Sequence, residues 1–187
     1  MDAIRTAALA AFVAISSLSV PALGNELDRR VSVEQIGSGN RANINSRSNT
    51  GDARILQDGT GQSLTLDQSG NGGNEAEITS YGISNLVEVS QDAEGGGSNA
   101  LFVLQNGSDN QAYLAQSAAY GDPNQMNLIQ NGNLNEARLD QHGSGNTLAL
   151  EQQGDANQAD LAQIGDGLSL GVAQYGGAAL TITQTGP

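Results

Sequence analysis

The chain contains no cysteine, no tryptophan and no lysine, and aromatic residues make up only 3% of it. Without cysteine no disulfide framework can hold the fold, a common device in small secreted domains. Without lysine, and at a net charge of −13, the chain lacks the basic surface that nucleic-acid phosphates demand. The scarcity of aromatics argues against a conventional globular enzyme core. What is plentiful is glycine, with 25 residues, together with asparagine and glutamine. Such a composition alone is compatible with disorder. The order of the residues decides against it.

Glutamine recurs in register: Gln105, Gln116, Gln130, Gln141, Gln152, Gln163 and Gln174 follow one another at 11, 14, 11, 11, 11 and 11 residues. Fixed self-similarity at such a spacing marks stacked supersecondary units. One phrase fills the interval, read as Q-N-G-N-L-N-E-A-R-L-D-Q from Gln130 and as Q-Q-G-D-A-N-Q-A-D-L-A-Q from Gln152. Asn135, Ala137, Leu139 and Gln141 alternate, so all four leave one face of an extended strand, while Glu136, Arg138 and Asp140 leave the other. Gly132, Gly143, Gly154 and Gly165 follow the glutamines and supply residues free to take positive φ where the chain turns. The unit is a seven-residue strand and a four-residue arc.

With the frame fixed, fourteen strands can be placed, beginning at 29, 40, 51, 62, 74, 85, 99, 110, 124, 135, 146, 157, 168 and 178. Their two central inward positions are apolar in all 28 cases, from Val31 and Val33 to Leu180 and Ile182. Size alternates at the first of these positions through Leu101, Ala112, Met126, Ala137, Leu148, Ala159 and Leu170, which suggests a two-strand period with large facing small. Extra residues follow Gln68, Gln91 and Gln116, all at every-other-strand positions, and so fall along one edge of a coil. These features predict an all-β, amyloid-forming β-solenoid of about seven strand-turn-strand coils. Its two parallel cross-β sheets should face each other at roughly 10 Å, with strands stacked near 4.7 Å. Monomeric solenoids need polar terminal caps, and none is evident, so open edges would template end-to-end pairing.

Residues 1–24 read as a secretory signal peptide: Arg5 in a short leading region, an apolar stretch from Ala7, and small residues in Pro21-Ala22-Leu23-Gly24. The solenoid then occupies 25–187 and is most regular at 99–174. The single His142 reads as a solvated turn residue, because no second histidine or cysteine accompanies it. Carboxylates such as Asp140 lie on flat outward faces rather than in a water-shielded cleft, so no enzymatic activity, metal or cofactor is expected. Phe102, Leu104 and Ile129 point outward on strands of one sheet and are candidates for a lateral contact. Arg29, Arg30, Arg41, Arg47 and Arg54 crowd the first three strands. They form either a solvated face or a patch that seats on an acidic neighbour.

The dodecamer Gln-x-Gly-x-x-Asn-x-Ala-x-x-x-Gln stands intact at Gln105–Gln116, Gln130–Gln141 and Gln152–Gln163, and with Leu148 for alanine at Gln141–Gln152. It resembles the curlin repeat of curli fibre subunits. The resemblance implies a secreted bacterial amyloid subunit that polymerises with itself outside the outer membrane into adhesive, biofilm-matrix fibres. It also implies two kinds of partner, another curlin subunit and the outer-membrane curli secretion machinery. The ladder-forming positions of the family fall on Gln105, Asn110, Gln116, Gln130, Asn135, Gln141, Asn146, Gln152, Asn157 and Gln163, and Gln174 continues the period. A nucleating minor subunit at the cell surface, or a monomeric solenoid serving as adhesin or ice-binding module, are the alternative readings.

Overall fold

The computed structural model describes residues 18–19, 29–48 and 50–186. The signal-peptide reading of 1–24 therefore falls almost wholly outside the described residues. Even-numbered strands β2 (Arg29–Ser38), β4 (Thr50–Thr60), β6 (Gly73–Ile83), β8 (Ser98–Ser108), β10 (Asn124–Asn131), β12 (Thr147–Gln153) and β14 (Ser169–Tyr175) form one sheet. Odd-numbered strands β3 (Arg41–Ser46), β5 (Ser63–Gly70), β7 (Leu86–Ala93), β9 (Gln111–Ala118), β11 (Glu136–His142), β13 (Gln158–Ile164) and β15 (Ala179–Thr185) form the other, with the two-residue β1 (Leu18–Ser19) beside β3. Every pairing is parallel. The chain thus winds a β-solenoid of seven two-strand coils, as the alternation in the sequence requires.

Stacking repeats every 22 residues where the arcs are short, every 23 or 25 where the odd-to-even arcs carry extra residues, and at 21 between β13 and β15. Those extra residues follow β5, β7 and β9, so they do line one edge. Like residues fall on like residues: Ala112, Ala137 and Ala159 stack in one column, and Leu114, Leu139 and Leu161 in the next. A one-residue slip would turn every apolar side chain outward, which fixes the register.

The inward pairs form the core. Residues such as Ile55, Leu66, Ile78, Leu128, Leu139 and Leu161 are buried to within 1%. Val31 and Val33 in β2, Leu170 and Val172 in β14, and Leu180 and Ile182 in β15 are only half-buried. Among the described residues, these strands have a neighbour on one side alone, so apolar surface and unpaired backbone groups are left at the ends of the stack.

Two expectations are corrected. The first concerns the core. Gln130 donates to the Gln111 carbonyl at the start of β9, and Gln141 to the Gln125 carbonyl at the start of β10. The end of each strand therefore lies over the start of the strand across the core. Ala112 and Ala137 face the second central position of the other sheet, not Leu101 or Met126. The size alternation fills columns within each sheet rather than pairing large with small across it. The second concerns length. The strands β2, β4, β6 and β8 run 10 or 11 residues rather than seven. Their arcs stack in register too, as Gly59 on Gly82 and Thr60 on Ile83, so the ladder continues around the corner.

The corner glycines are there by necessity. Gly107, Gly132 and Gly154 have φ of 129°, 126° and 88°, and a Cβ built on Gly107 or Gly132 runs into the carbonyl oxygen of the glycine one coil on. Positive φ recurs just before the asparagine that opens each odd strand, at Ser84, Asp109, Leu134 and Ala156. Asparagine or aspartate tolerates that conformation readily, whereas a leucine, as at Leu134, adopts it only with strain.

Candidate functional site

The interior holds two kinds of polar column flanking the apolar core, and both are built from carboxamides. In the odd sheet the Nε2 of Gln68, Gln91, Gln116, Gln141 and Gln163 donates in turn to the Oε1 of Gln91, Gln116, Gln141, Gln163 and Gln184, at 2.9–3.0 Å. In the even sheet Gln105, Gln130 and Gln152 donate to Gln130, Gln152 and Gln174 at 2.8 Å, and Gln35 donates to Gln57 at 2.6 Å. Every link runs from one coil toward the C-terminal neighbour. Glutamine suits the position because its amide offers two donors and one acceptor on a flexible arm. The second N–H crosses the core to a backbone carbonyl, as from Gln116 to Ala100, Gln152 to Glu136 and Gln163 to Thr147, at 3.0–3.2 Å. Each glutamine therefore ties its coil to the next and one sheet to the other.

Asparagine stands at nine of the fourteen strand starts and secures the arcs. Asn110 Oδ1 accepts the backbone N–H of Asn135, and Asn135 Oδ1 accepts that of Asn157, both at 3.0 Å. In the even sheet Asn124 and Asn146 receive the N–H groups of Asn146 and Leu168 in the same way. The Nδ2 turns to the arcs, as from Asn146 to the carbonyls of His142 and Gly165 at 3.2 and 2.7 Å. Backbone groups that a turn would otherwise orphan inside the stack are thereby satisfied.

All eleven ladder positions expected from the sequence are buried and lie in these columns. The columns extend further than expected, through Gln35, Gln57, Gln68, Gln91 and Gln184 and through Asn40, Asn74, Asn85 and Asn99. The strand frame had placed these residues inward. The broken spacing around the insertions hid their membership of a continuous ladder. Gln62 replaces asparagine at its strand start and still reaches the Asp58 and Gly82 carbonyls.

The ladder is interrupted where serine stands for glutamine. Ser80 lies between Gln57 and Gln105 in the even sheet, and its Oγ and the Oε1 of Gln105 are both buried without a hydrogen-bond partner. The Oε1 of Gln68, stacked on Ser46, is likewise unsatisfied. Near the same coil Ser48, fully buried, turns its Oγ toward the space that a side chain at Gly51 would fill, but that Oγ has no hydrogen-bond partner, so the space is filled without the bonds an asparagine would make. An orphaned buried acceptor costs about 1–3 kcal/mol. Ser80→Gln is therefore expected to stabilise the fold by about 1–2 kcal/mol, read as a raised urea midpoint. An unchanged or lowered midpoint would refute the vacancy in this column.

The outward candidates Phe102, Leu104 and Ile129 lie on the even sheet, with Leu104 directly beside Ile129 and Phe102 beside Asn127. Arg138 stacks over the Tyr113 ring at 5.4 Å on the odd sheet. Of the N-terminal arginines, Arg47 pairs with Asp67 of its own chain at 3.4 Å. His142 Nε2 sits 3.0 Å from Asp140 at the surface. Among the described residues no three His, Asp or Glu side chains come together as metal ligands do.

The molecule is thus an all-β solenoid of the cross-β type, two parallel sheets bound through buried amide ladders. The family model of the curlin associated repeat matches residues 121–154 and again 143–176. Comparison with curated proteins and with solved structures gives no match. The repeat matches cover β10 to β14, where the ladder has no break.

Proposed function

We propose that this chain is a structural subunit of extracellular curli-type amyloid fibres, polymerising end to end in the matrix that holds cells together. The curlin repeats support this reading. Export by the curli secretion machinery and contact with a second curlin subunit belong to the same proposal. So does the choice of a fibre-building role over a nucleating one.

The observation that carries it is the state of the last coil. Inside the stack a glutamine donates one N–H to the next glutamine, but Gln174, at the open face, folds that N–H back onto the Ala178 carbonyl at 3.2 Å. Its other N–H keeps the usual bond across the core, to Gln158 at 2.9 Å. The first coil of a second copy offers what is missing. Val31, Val33 and Gln35 repeat the spacing of Leu170, Val172 and Gln174, so β2 can continue β14 in register, and β3, whose outer edge holds β1 here, continues β15 once residues 1–24 are removed. The last coil carries no charged residue in β14 or β15, so the arginines of β2 and β3 meet a neutral rung rather than an acidic one. Identical in-register strands with amide ladders are the arrangement that gives cross-β polymers their stability.

The test is assembly of the purified chain, residues 25–187. Growth with a lag that sheared fibres of the same chain abolish, thioflavin binding and a meridional spacing near 4.7 Å are the expected results. A chain that stays monomeric at high concentration, or that only hastens the assembly of another curlin, would overturn the fibre-building role.

A further inference from the structure

The two broad faces of the solenoid differ in charge. Over the last four coils the odd sheet presents Glu136, Arg138, Asp140 and Asp160, whereas the even sheet presents one charged side chain, Glu151. The rest of that even face is built from two contrasting kinds of residue. Phe102, Leu104 and Ile129 rise from β8 and β10, while Ala149, Gly171 and Ala173 leave β12 and β14 low. Shallow grooves run over the low part, one lined by Phe102, Asn127 and Ala149 with Glu75 and Glu77 of β6 at its edge, the other by Ile129, Ala149, Gly171 and Ala173 with Glu151. A Cβ at Gly171 would meet nothing within 4 Å.

We propose that this face is a lateral contact between two copies of the chain in neighbouring filaments, paired antiparallel; the proposal rests on the fibre reading above. Charge selects the occupant. In a chain of net charge −13, a second copy meets the least carboxylate repulsion over the face that carries the fewest charges, here one Glu151 from each copy. Shape selects the orientation. A two-fold axis between the copies, parallel to the strands, sets β8 against β14 and β10 against β12. Phe102 then lies over Gly171 of the second copy, Leu104 over Ala173 and Asn127 over Ala149, so high meets low at three of the four facing positions, while at the fourth Ile129 lies over the methylene stem of Glu151. Contacts of this kind, with small residues receiving large ones between flat sheets, form dry cross-β interfaces. The match is isologous, each copy giving and receiving the same contacts.

The size of the patch sets when the contact forms. Four strands at about 4.8 Å by six residues at about 3.3 Å give roughly 400 Å² per copy. A stable complex of soluble partners buries about 800 Å² on each side. Free subunits should therefore stay apart, and filaments, which repeat the patch along their length, should pair.

The experiment compares two alanines in the same coil, Ala149 on the even face and Ala162 on the odd one, through Ala149→Arg and Ala162→Arg in the full mature chain. Growth is followed by seeded thioflavin kinetics and filament pairing by electron microscopy, so that loss of fibres and loss of pairing are read separately. Both variants should grow, and the paired fraction should fall roughly fivefold or more in Ala149→Arg only, because the bulky cation is desolvated there. Should Ala149→Arg fail to assemble, Phe102→Ser with Leu104→Ser removes the raised side chains without adding charge and should unpair filaments likewise. Unpaired parent filaments, pairing that survives on the even-face variants, or equal loss in Ala162→Arg would each overturn the lateral contact. A parent chain that forms no filaments refutes the fibre reading and, with it, this one.

Discussion

Gly132→Val should abolish the folded solenoid, with a loss of about 3 kcal/mol or more and no cooperative β signal at ordinary temperature. Two independent effects act at this residue. Its φ is 126°, a conformation that a β-branched residue adopts only under strain. A Cβ there also collides with the Gly154 carbonyl oxygen, a backbone atom that cannot withdraw without breaking the stacking of the next arc. The collision repeats up the edge, because Gly107 meets Gly132 as Gly132 meets Gly154. Gly171→Ala is the matched control, since that glycine lies in a strand with open space around it, and its stability should change by less than about 0.5 kcal/mol. Circular dichroism and urea unfolding of the two variants decide the matter. A folded Gly132→Val chain would mean that the arcs do not stack as described.

The second large effect is expected from the amides. Asn135→Ala with Gln141→Ala should destabilise the chain by about 3–5 kcal/mol and slow fibre growth, whereas Glu136→Ala with Asp140→Ala should cost less than about 1 kcal/mol. Removing the Gln141 carboxamide strands the Gln116 N–H, the Gln163 Oε1 and the Gln125 carbonyl, three buried groups at once. Removing that of Asn135 strands the Asn157 backbone N–H and takes an acceptor from the Asn157 Nδ2. Glu136 and Asp140 touch only surface neighbours, Gln158 at 3.4 Å and His142 at 3.0 Å. The readouts are the urea midpoint and the seeded growth rate. Equal losses from the two pairs would contradict the assignment of inward and outward faces.

Much of this was legible in the sequence because a solenoid repeats one physical decision. At every coil the chain must choose which side chains enter a thin interior, and 28 apolar residues at alternating positions record that choice. The number of coils follows, as does the edge that carries the insertions. The path of the hydrogen bonds did not follow, because period alone says that Gln116 is inward, not that one N–H climbs to Gln141 while the other crosses to Ala100. Facing across the core was misread for a related reason. Spacing along the chain orders residues within a sheet, whereas the return direction of the next strand decides what they meet. The full extent of the ladder was obscured where spacings of 23 and 25 replaced 22 and where serine interrupts it. The longer strands β2 to β8 likewise depend on glycines stacking on glycines, a relation between residues far apart in the chain. That Ser48 occupies the space beside Gly51 could be seen only in three dimensions.

Hydrogen exchange tests most directly whether the end coils join one copy to the next. In the free chain the backbone amides of β14 and β15, which lack a strand on one side among the described residues, should exchange faster than those of β10 to β13. In the fibre they should become as slow as the interior, together with those of β2, because each outer strand has then acquired a partner. That levelling, measured by mass spectrometry on fibres and free chain from one preparation, is the result predicted. Fibres in which β14 and β15 still exchange quickly while the interior is protected would show that the copies join by some other surface.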